Sequence, residues 1–228
     1  MIFGRLVWAG GGYLAGTLPS TWIVARSKGA RGLLAAAGRS SGETDPHILM
    51  TEHLGVGWTA LAATMDVLKG LVFVLAAREW GGLNAAWLAL CGVTVVVGHA
   101  FPFYLKEMAG RGLAAAAGVF LVLLPVEMTL AGLLIVAGGA ANVTGLASTT
   151  AMVSIPLVAA IQGQPGEFVA MAAAIFAIII IRRLEGIGEV IERGITPRRA
   201  VLYRCLYDAS EDPARLNPWR SREGNLPP

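Results

Sequence analysis

The sequence predicts an all-α fold, a polytopic helical bundle set into a membrane, and three observations carry that prediction. Its 228 residues are 55% hydrophobic and only 14% charged, with a mean hydropathy of +0.64, a balance too apolar for a water-soluble domain of this length. Apolar runs recur along the chain, each near the roughly 20 residues that a helix needs to cross a bilayer core. The 18 Lys and Arg and 15 Asp and Glu gather mostly between and after those runs, and that uneven placement orients the chain.

The runs are residues 2–25, 54–77, 83–101 and 113–137. The first reads as a retained helix rather than a cleaved signal, because a single Arg5 precedes a glycine-rich run of membrane length. Two shorter runs, 146–161 and 168–181, are parted by Gln162-Gly163-Gln164-Pro165-Gly166, a turn by composition. Each is about 22 Å long as a helix, short of a core about 30 Å thick. Arg26, Lys28, Arg31 and Arg39 lie between the first two runs, Lys106 and Arg111 follow the third, and Arg182, Arg183 and Arg193 begin an arginine-rich end. All three stretches belong on the cytoplasmic side. An even number of crossings must then follow Arg111: the fourth run supplies one, and the two short pieces together one more.

The expectation is therefore about five net crossings made by about seven helical pieces, with the N-terminus outside and the C-terminus in the cytoplasm. Residues 1–196 form the transmembrane domain; 197–228, with Pro213, Pro218, Pro227 and Pro228, form a cytoplasmic tail with little structure of its own. Cys91 and Cys205 fall in segments of different environment, which argues against a disulfide or a zinc site.

Four stretches carry candidate chemistry. The first loop, from Lys28 to Arg39-Ser40-Ser41-Gly42-Glu43-Thr44-Asp45, reads by composition first as a polar connector, and its small residues, hydroxyls and cation also suit an anion. Asp66 and Lys69 sit inside an apolar run, where each ionisable group costs about 2.5–3.5 kcal/mol. Three residues apart, they share a helical face and pair, either to lock packing or to meet substrate. His99 ends the third run before Phe101-Pro102, where proline stops the helix, and Lys106, Gly110, Arg111 and Gly112 follow. Cations beside exposed amides favour phosphate. Ser148, with Asn142, Thr149 and Thr150, lies at a helix start, where capping is the default role and substrate contact the alternative. Glu127, within the fourth run, is open to two readings, a protonated packing residue or the start of an ion path.

In order along the chain, these stretches resemble the PlsY-type membrane acyltransferases, from about Gly16 to Arg193. Gly16-Thr17-Leu18-Pro19 is similar to the family's Gly-Ser-Ile-Pro. Asp66-Val67-Leu68-Lys69-Gly70 matches Asp-x-x-Lys-Gly, and Gly98-His99-Ala100-Phe101-Pro102 matches Gly-His-x-Phe-Pro. Lys106 and Gly110-Arg111-Gly112-Leu113-Ala114 stand at the family's Gly-Gly-Lys-Gly-Val-Ala-Thr, Ala147-Ser148 at its serine-containing third region, and Arg182-Arg183-Leu184-Glu185-Gly186-Ile187 at its Arg-His-Arg-x-Asn-Ile. The departures fall at polar positions. The loop Gly-Ser-Gly-Asn-x-Gly-Ala-Thr-Asn appears as Ala37-Gly38-Arg39-Ser40-Ser41-Gly42-Glu43-Thr44-Asp45, and the stretch through Pro46 and His47 to Gly55 is longer. A lysine becomes Arg111, a threonine Ala115, a histidine Arg183 and an asparagine Gly186.

The resemblance implies transfer of a fatty acyl group from acyl phosphate to glycerol 3-phosphate in a bacterial plasma membrane, giving lysophosphatidic acid for phospholipid synthesis at a site facing the cytoplasm. The substrates and membrane lipids are its partners, with no cofactor, metal or nucleic acid. It implies His99, Arg111 and Lys69 as the catalytic group. Thr17, Arg39, Ser40, Thr44, Lys106, Gly110, Gly112, Ser148 and Arg183 hold substrate or phosphate, and Asp66 is structural. Glu43 and Asp45 add negative charge where a dianion is expected, with Arg39, Lys28 and Arg31 as the nearby offset. An acyltransferase with another acceptor, and a noncatalytic lipid-binding or transport protein on the same scaffold, are the alternatives.

Overall fold

The computed structural model describes residues 2–32, 35, 45–104, 109–141, 143–185, 187–192, 196–202 and 204. Among them every regular element is a helix: α1 (Ile2–Gly16), α2 (Ser20–Ser27), α3 (Pro46–Leu54), α4 (Val56–Trp80), α5 (Ala85–Ala100), α6 (Leu113–Leu123), α7 (Pro125–Ala140), α8 (Thr144–Ile161), α9 (Gly166–Arg183), α10 (Ile187–Glu192) and α11 (Pro197–Leu202). Arg39, Ser40, Thr44, Lys106, Asn142, Gly186 and most of the tail lie outside the described residues.

Local chemistry sets the breaks. The first apolar run becomes α1 and α2 because Pro19 has no N–H to continue the helical ladder. Asp45 caps α3, accepting from the His47 N–H at 2.9 Å, and Pro46 sits in its first turn. Asn84 does the same for α5, accepting from the Trp87 N–H at 3.2 Å. The fourth run is not one helix. Leu124 leaves the helical region (φ −139°, ψ 59°) and Pro125 opens α7, so α6 is only 11 residues, about 16 Å. α7 folds back beside α6, and its Met128 and Ile135 line the same cavity as Leu113, Ala114 and Ala117 of α6.

The two last pieces also depart from expectation. α8 and α9 have 18 residues each and run antiparallel, Arg183 at the end of α9 reaching Ser148 and Thr149 at the start of α8. They form an antiparallel pair rather than one broken helix. With α6 and α7 also folded back on each other, about five net crossings correspond to one pass each by α1, α4, α5, α8 and α9. Among the described residues α4 alone is both long and apolar enough to span a bilayer unaided.

Two backbone crossings hold the frame. A Cβ on Gly16 would fall on the Val95 carbonyl and one on Gly98 on the Tyr13 carbonyl, so α1 and α5 meet main chain to main chain. α4 and α6 repeat the device, Gly70 against the Ala115 carbonyl and Gly118 against the Val67 carbonyl. Small residues permit this approach, which lipid-embedded helices use for association in place of a hydrophobic driving force. Val95, Val96, Val119, Phe120, Ile155, Ile175 and Ile179 fill the interior from α5, α6, α8 and α9. The outside is apolar as well: Leu133 is 63% and Val136 72% exposed, a surface that lipid, not water, suits.

Gly16→Leu and Gly118→Leu should each lower the unfolding midpoint of detergent-purified protein, at a cost of about 1–3 kcal/mol or more for overpacking. Gly10→Leu, at an exposed site with no atom within 4 Å of its Cβ position, should leave the midpoint unchanged.

Candidate active site

Asp66 is the centre of a charged network that the surrounding helices bury. It lies ten residues into α4, 1% exposed, and three nitrogens approach it. Lys69 Nζ stands 2.7 Å from Oδ1, His99 Nδ1 3.5 Å from the same oxygen, and His47 Nε2 3.1 Å from Oδ2. Lys69 also donates to the Leu18 carbonyl at 2.8 Å, which ties the α1–α2 break to α4. A carboxylate at such depth is tolerated only when paired, and here its partners come from α3, α4 and α5.

The network continues outward. His47 Nδ1 is 3.4 Å from Asp45 Oδ1, and Asp45 Oδ2 is 3.3 Å from Arg111 Nε. Cations and carboxylates thus alternate from Lys69 through Asp66, His47 and Asp45 to Arg111. Burial alone would drive the His47 ring toward neutrality, but Asp45 and Asp66 on either side overcome it and raise the imidazolium from 6.5 to about 10. Burial likewise works against the Asp45 charge, yet His47 and Arg111 outweigh it and hold the carboxyl well below the usual range.

His99 is buried at the end of α5, and Gly110 lies on its ring: a Cβ there would collide with Nε2. Gly112 takes φ +95° to start α6, a conformation few side chains accept. Arg182 clamps this turn from the other side, donating to the Ala109 carbonyl at 3.0 Å and the Gly110 carbonyl at 3.4 Å, while pairing with Glu185. Next to it, buried Arg183 donates to Ser148 Oγ at 2.8 Å and to Thr149 Oγ1. Thr17 is buried too. Its hydroxyl donates to the Leu14 carbonyl at 2.7 Å, its own carbonyl accepts from Tyr104 at 2.6 Å, and it lines a narrow cleft with Asp66 and His99.

Asp45, His47, His99 and Arg111 line a cavity of about 280 Å³ together with Thr59, Gly112 and a mainly apolar set that includes Ala63, Leu113, Ala117, Met128, Ile135 and Met152. The space has a charged head and an apolar body. Among the residues singled out from sequence, His99, Arg111 and Gly112 line it, Gly110 packs on His99, and Asp66 and Lys69 stand behind. Ser148 and Arg183 form a separate buried pair one residue from the Arg182 clamp. Sequence reasoning missed His47 and the clamping role of Arg182. Asp45 two residues before His47, at a helix start, was the local signal for the first. Among the described residues Arg111 and His47 stand against Asp45, while Lys28 lies 3.6 Å over the Trp58 ring and Arg31 5.8 Å over Trp22; Arg39 lies outside the described residues.

Because the folded value of His47 exceeds its unfolded one, its stabilisation is complete below about pH 6.5 and is lost as pH rises toward about 10. The unfolding midpoint of the wild type should fall between pH 7 and 10, and His47→Gln should flatten that dependence.

A family model described as glycerol-3-phosphate acyltransferase matches residues 6–193. Glycerol-3-phosphate acyltransferase 1 of Deinococcus radiodurans is 40% identical over 114 residues, 50% of this chain and 54% of that relative, so this chain spans about half the length of that protein. The glycerol-3-phosphate acyltransferase of Geobacter sulfurreducens is 31% identical over 190 residues, 79% of this chain and 90% of the relative. Two crystal structures of PlsY (YgiH), an integral membrane glycerol 3-phosphate acyltransferase, share the fold. The glycerol 3-phosphate form has a TM-score of 0.70 at 27% identity, covering 83% of this chain and 92% of that one. The lysophosphatidic acid form has a TM-score of 0.68 at 26% identity, covering 87% and 98%. Matched in sequence across all of its bundle helices, and in structure over most of its length, the chain belongs to the glycerol-3-phosphate acyltransferase family.

Proposed function

We propose that this enzyme transfers a fatty acyl group from acyl phosphate to the hydroxyl of glycerol 3-phosphate, at the cytoplasmic face of a bacterial plasma membrane. One observation carries the reading: a single cavity joins a charged head to an apolar body, the shape of an acyl chain ending in phosphate. The family supplies the acceptor. The placement of Arg26 in the last turn of α2 with Lys28 and Arg31 after it, and of Arg182 and Arg183 at the end of α9, supports the cytoplasmic side. Residues 1–196 are the membrane domain and 197–228 a cytoplasmic tail, a division supported by the family match ending at residue 193.

In this mechanism the acceptor hydroxyl attacks the acyl carbonyl carbon. A new ester C–O bond forms, the bond from that carbon to the phosphate oxygen breaks, and inorganic phosphate leaves with its electron pair. Phosphate is already a competent leaving group, so the demand on the protein is alignment and charge stabilisation. Arg111 and the amides of the Gly110 to Gly112 turn position phosphate. His99 takes the hydroxyl proton, held in orientation by Asp66 on its Nδ1 side. Lys69 fixes Asp66 and so acts through it. The family resemblance assigns Lys106, Arg39, Ser40 and Thr44 to phosphate and acceptor, and Thr17 lines the neighbouring cleft. Arg183, hydrogen-bonded to Ser148 beside the Arg182 clamp, adds positive charge near the Gly110 to Gly112 turn.

The test is phosphate release by purified protein from palmitoyl phosphate with glycerol 3-phosphate and a panel of other polyol phosphates. Arg111→Ala should cost about 10²–10³-fold in kcat/KM and His99→Ala about 10²–10⁴-fold. Turnover of another acceptor with none on glycerol 3-phosphate would replace the acceptor. Wild-type levels of complementation of an acyltransferase-deficient strain by both variants would remove catalysis from the account.

A further inference from the structure

We propose that Asp45 is a charge-discriminating residue of this site: its carboxylate is a resident anion on Arg111, against which every substrate phosphate must compete. The inference rests on the acyltransferase reading of the cavity given above. Asp45 lines the same cavity as Arg111 and His99, and its Oδ2 lies 3.3 Å from Arg111 Nε. Its other oxygen is tied to the start of α3, accepting from the His47 N–H at 2.9 Å and facing His47 Nδ1 at 3.4 Å. A helix start therefore fixes the carboxylate in the cavity head.

A phosphate arriving at Arg111 must displace this carboxylate from the guanidinium or share the guanidinium with it. Either course weakens binding, and a dianion loses more than a monoanion, because repulsion from Asp45 scales with ligand charge. The site is thereby tuned toward release: inorganic phosphate and a phosphomonoester product leave more readily than they would from an undivided arginine. The ligand chemistry is a phosphate group. Acceptor, donor and released phosphate all carry one, and separate affinities distinguish them.

Asp45→Asn removes the charge while keeping a side-chain oxygen that caps α3, whereas Asp45→Glu keeps the charge. Binding of inorganic phosphate to the full-length detergent-purified protein is read by thermal shift, beside KM for glycerol 3-phosphate and for palmitoyl phosphate. D45N should bind inorganic phosphate on the order of tenfold more tightly, and KM should fall for whichever substrate uses Arg111. D45E, which keeps the charge, should bind inorganic phosphate no more tightly than the wild type. Unchanged or weaker phosphate binding by folded D45N overturns the proposal, as does D45E behaving like D45N. Should D45N not fold, Asp45→Ser, another helix cap, takes its place with the same expectation. Phosphate binding needs no turnover, so a wild type that binds phosphate but transfers no acyl group would defeat the enzymatic reading alone.

Discussion

A carboxylate buried in the middle of an apolar helix is the constraint from which the rest of this structure follows. Asp66 cannot remain charged at that depth without partners, and a single lysine one turn along would leave its second oxygen without an opposite charge. The chain answers with Lys69 and His99 on one oxygen and His47 on the other. Those partners arrive from the start of α3 and the end of α5, so satisfying one charge brings three elements to a common point. Lys69 adds the α1–α2 break through the Leu18 carbonyl. The polar head of the cavity is the outer face of this arrangement.

Packing makes the convergence possible. α5 delivers His99 because Gly16 and Gly98 let it lie directly on α1. α6 starts beside the network because Gly70 and Gly118 let it lie on α4. Gly110 then rests on the His99 ring, and Arg182 fastens the turn by its carbonyls. Each close approach trades side-chain volume for the position of a polar group, and the apolar cavity body is the space left between α6, α7 and α8.

Much of this was legible in the sequence, and what was not has a physical reason. The Asp66 to Lys69 spacing predicted their pair, and Pro102 correctly marked the end of α5. Arginine placement fixed the parity of passes without fixing which helices make them, because parity is blind to a run that goes in and returns. That is how the α6–α7 reversal at Leu124–Pro125 escaped notice, and why α8 and α9 were merged. The contacts of His47 with Asp66 and of Arg182 with Gly110 span 19 and 72 residues, which the local Asp45–His47 spacing does not reveal. The charge at Asp45 is visible in the sequence, but its partner Arg111 stands 66 positions on, before α6, where sequence neighbours alone point to Arg39, Lys28 and Arg31.

The most direct test of the account is a structure of this protein with a non-hydrolysable acyl phosphonate bound. The phosphonate is expected within hydrogen-bond reach of Arg111, about 3 Å, with the acyl chain running past Ala117, Met128 and Met152. A phosphonate bound away from Arg111 and His99, or an acyl chain lying on the outer surface of the bundle, would contradict it.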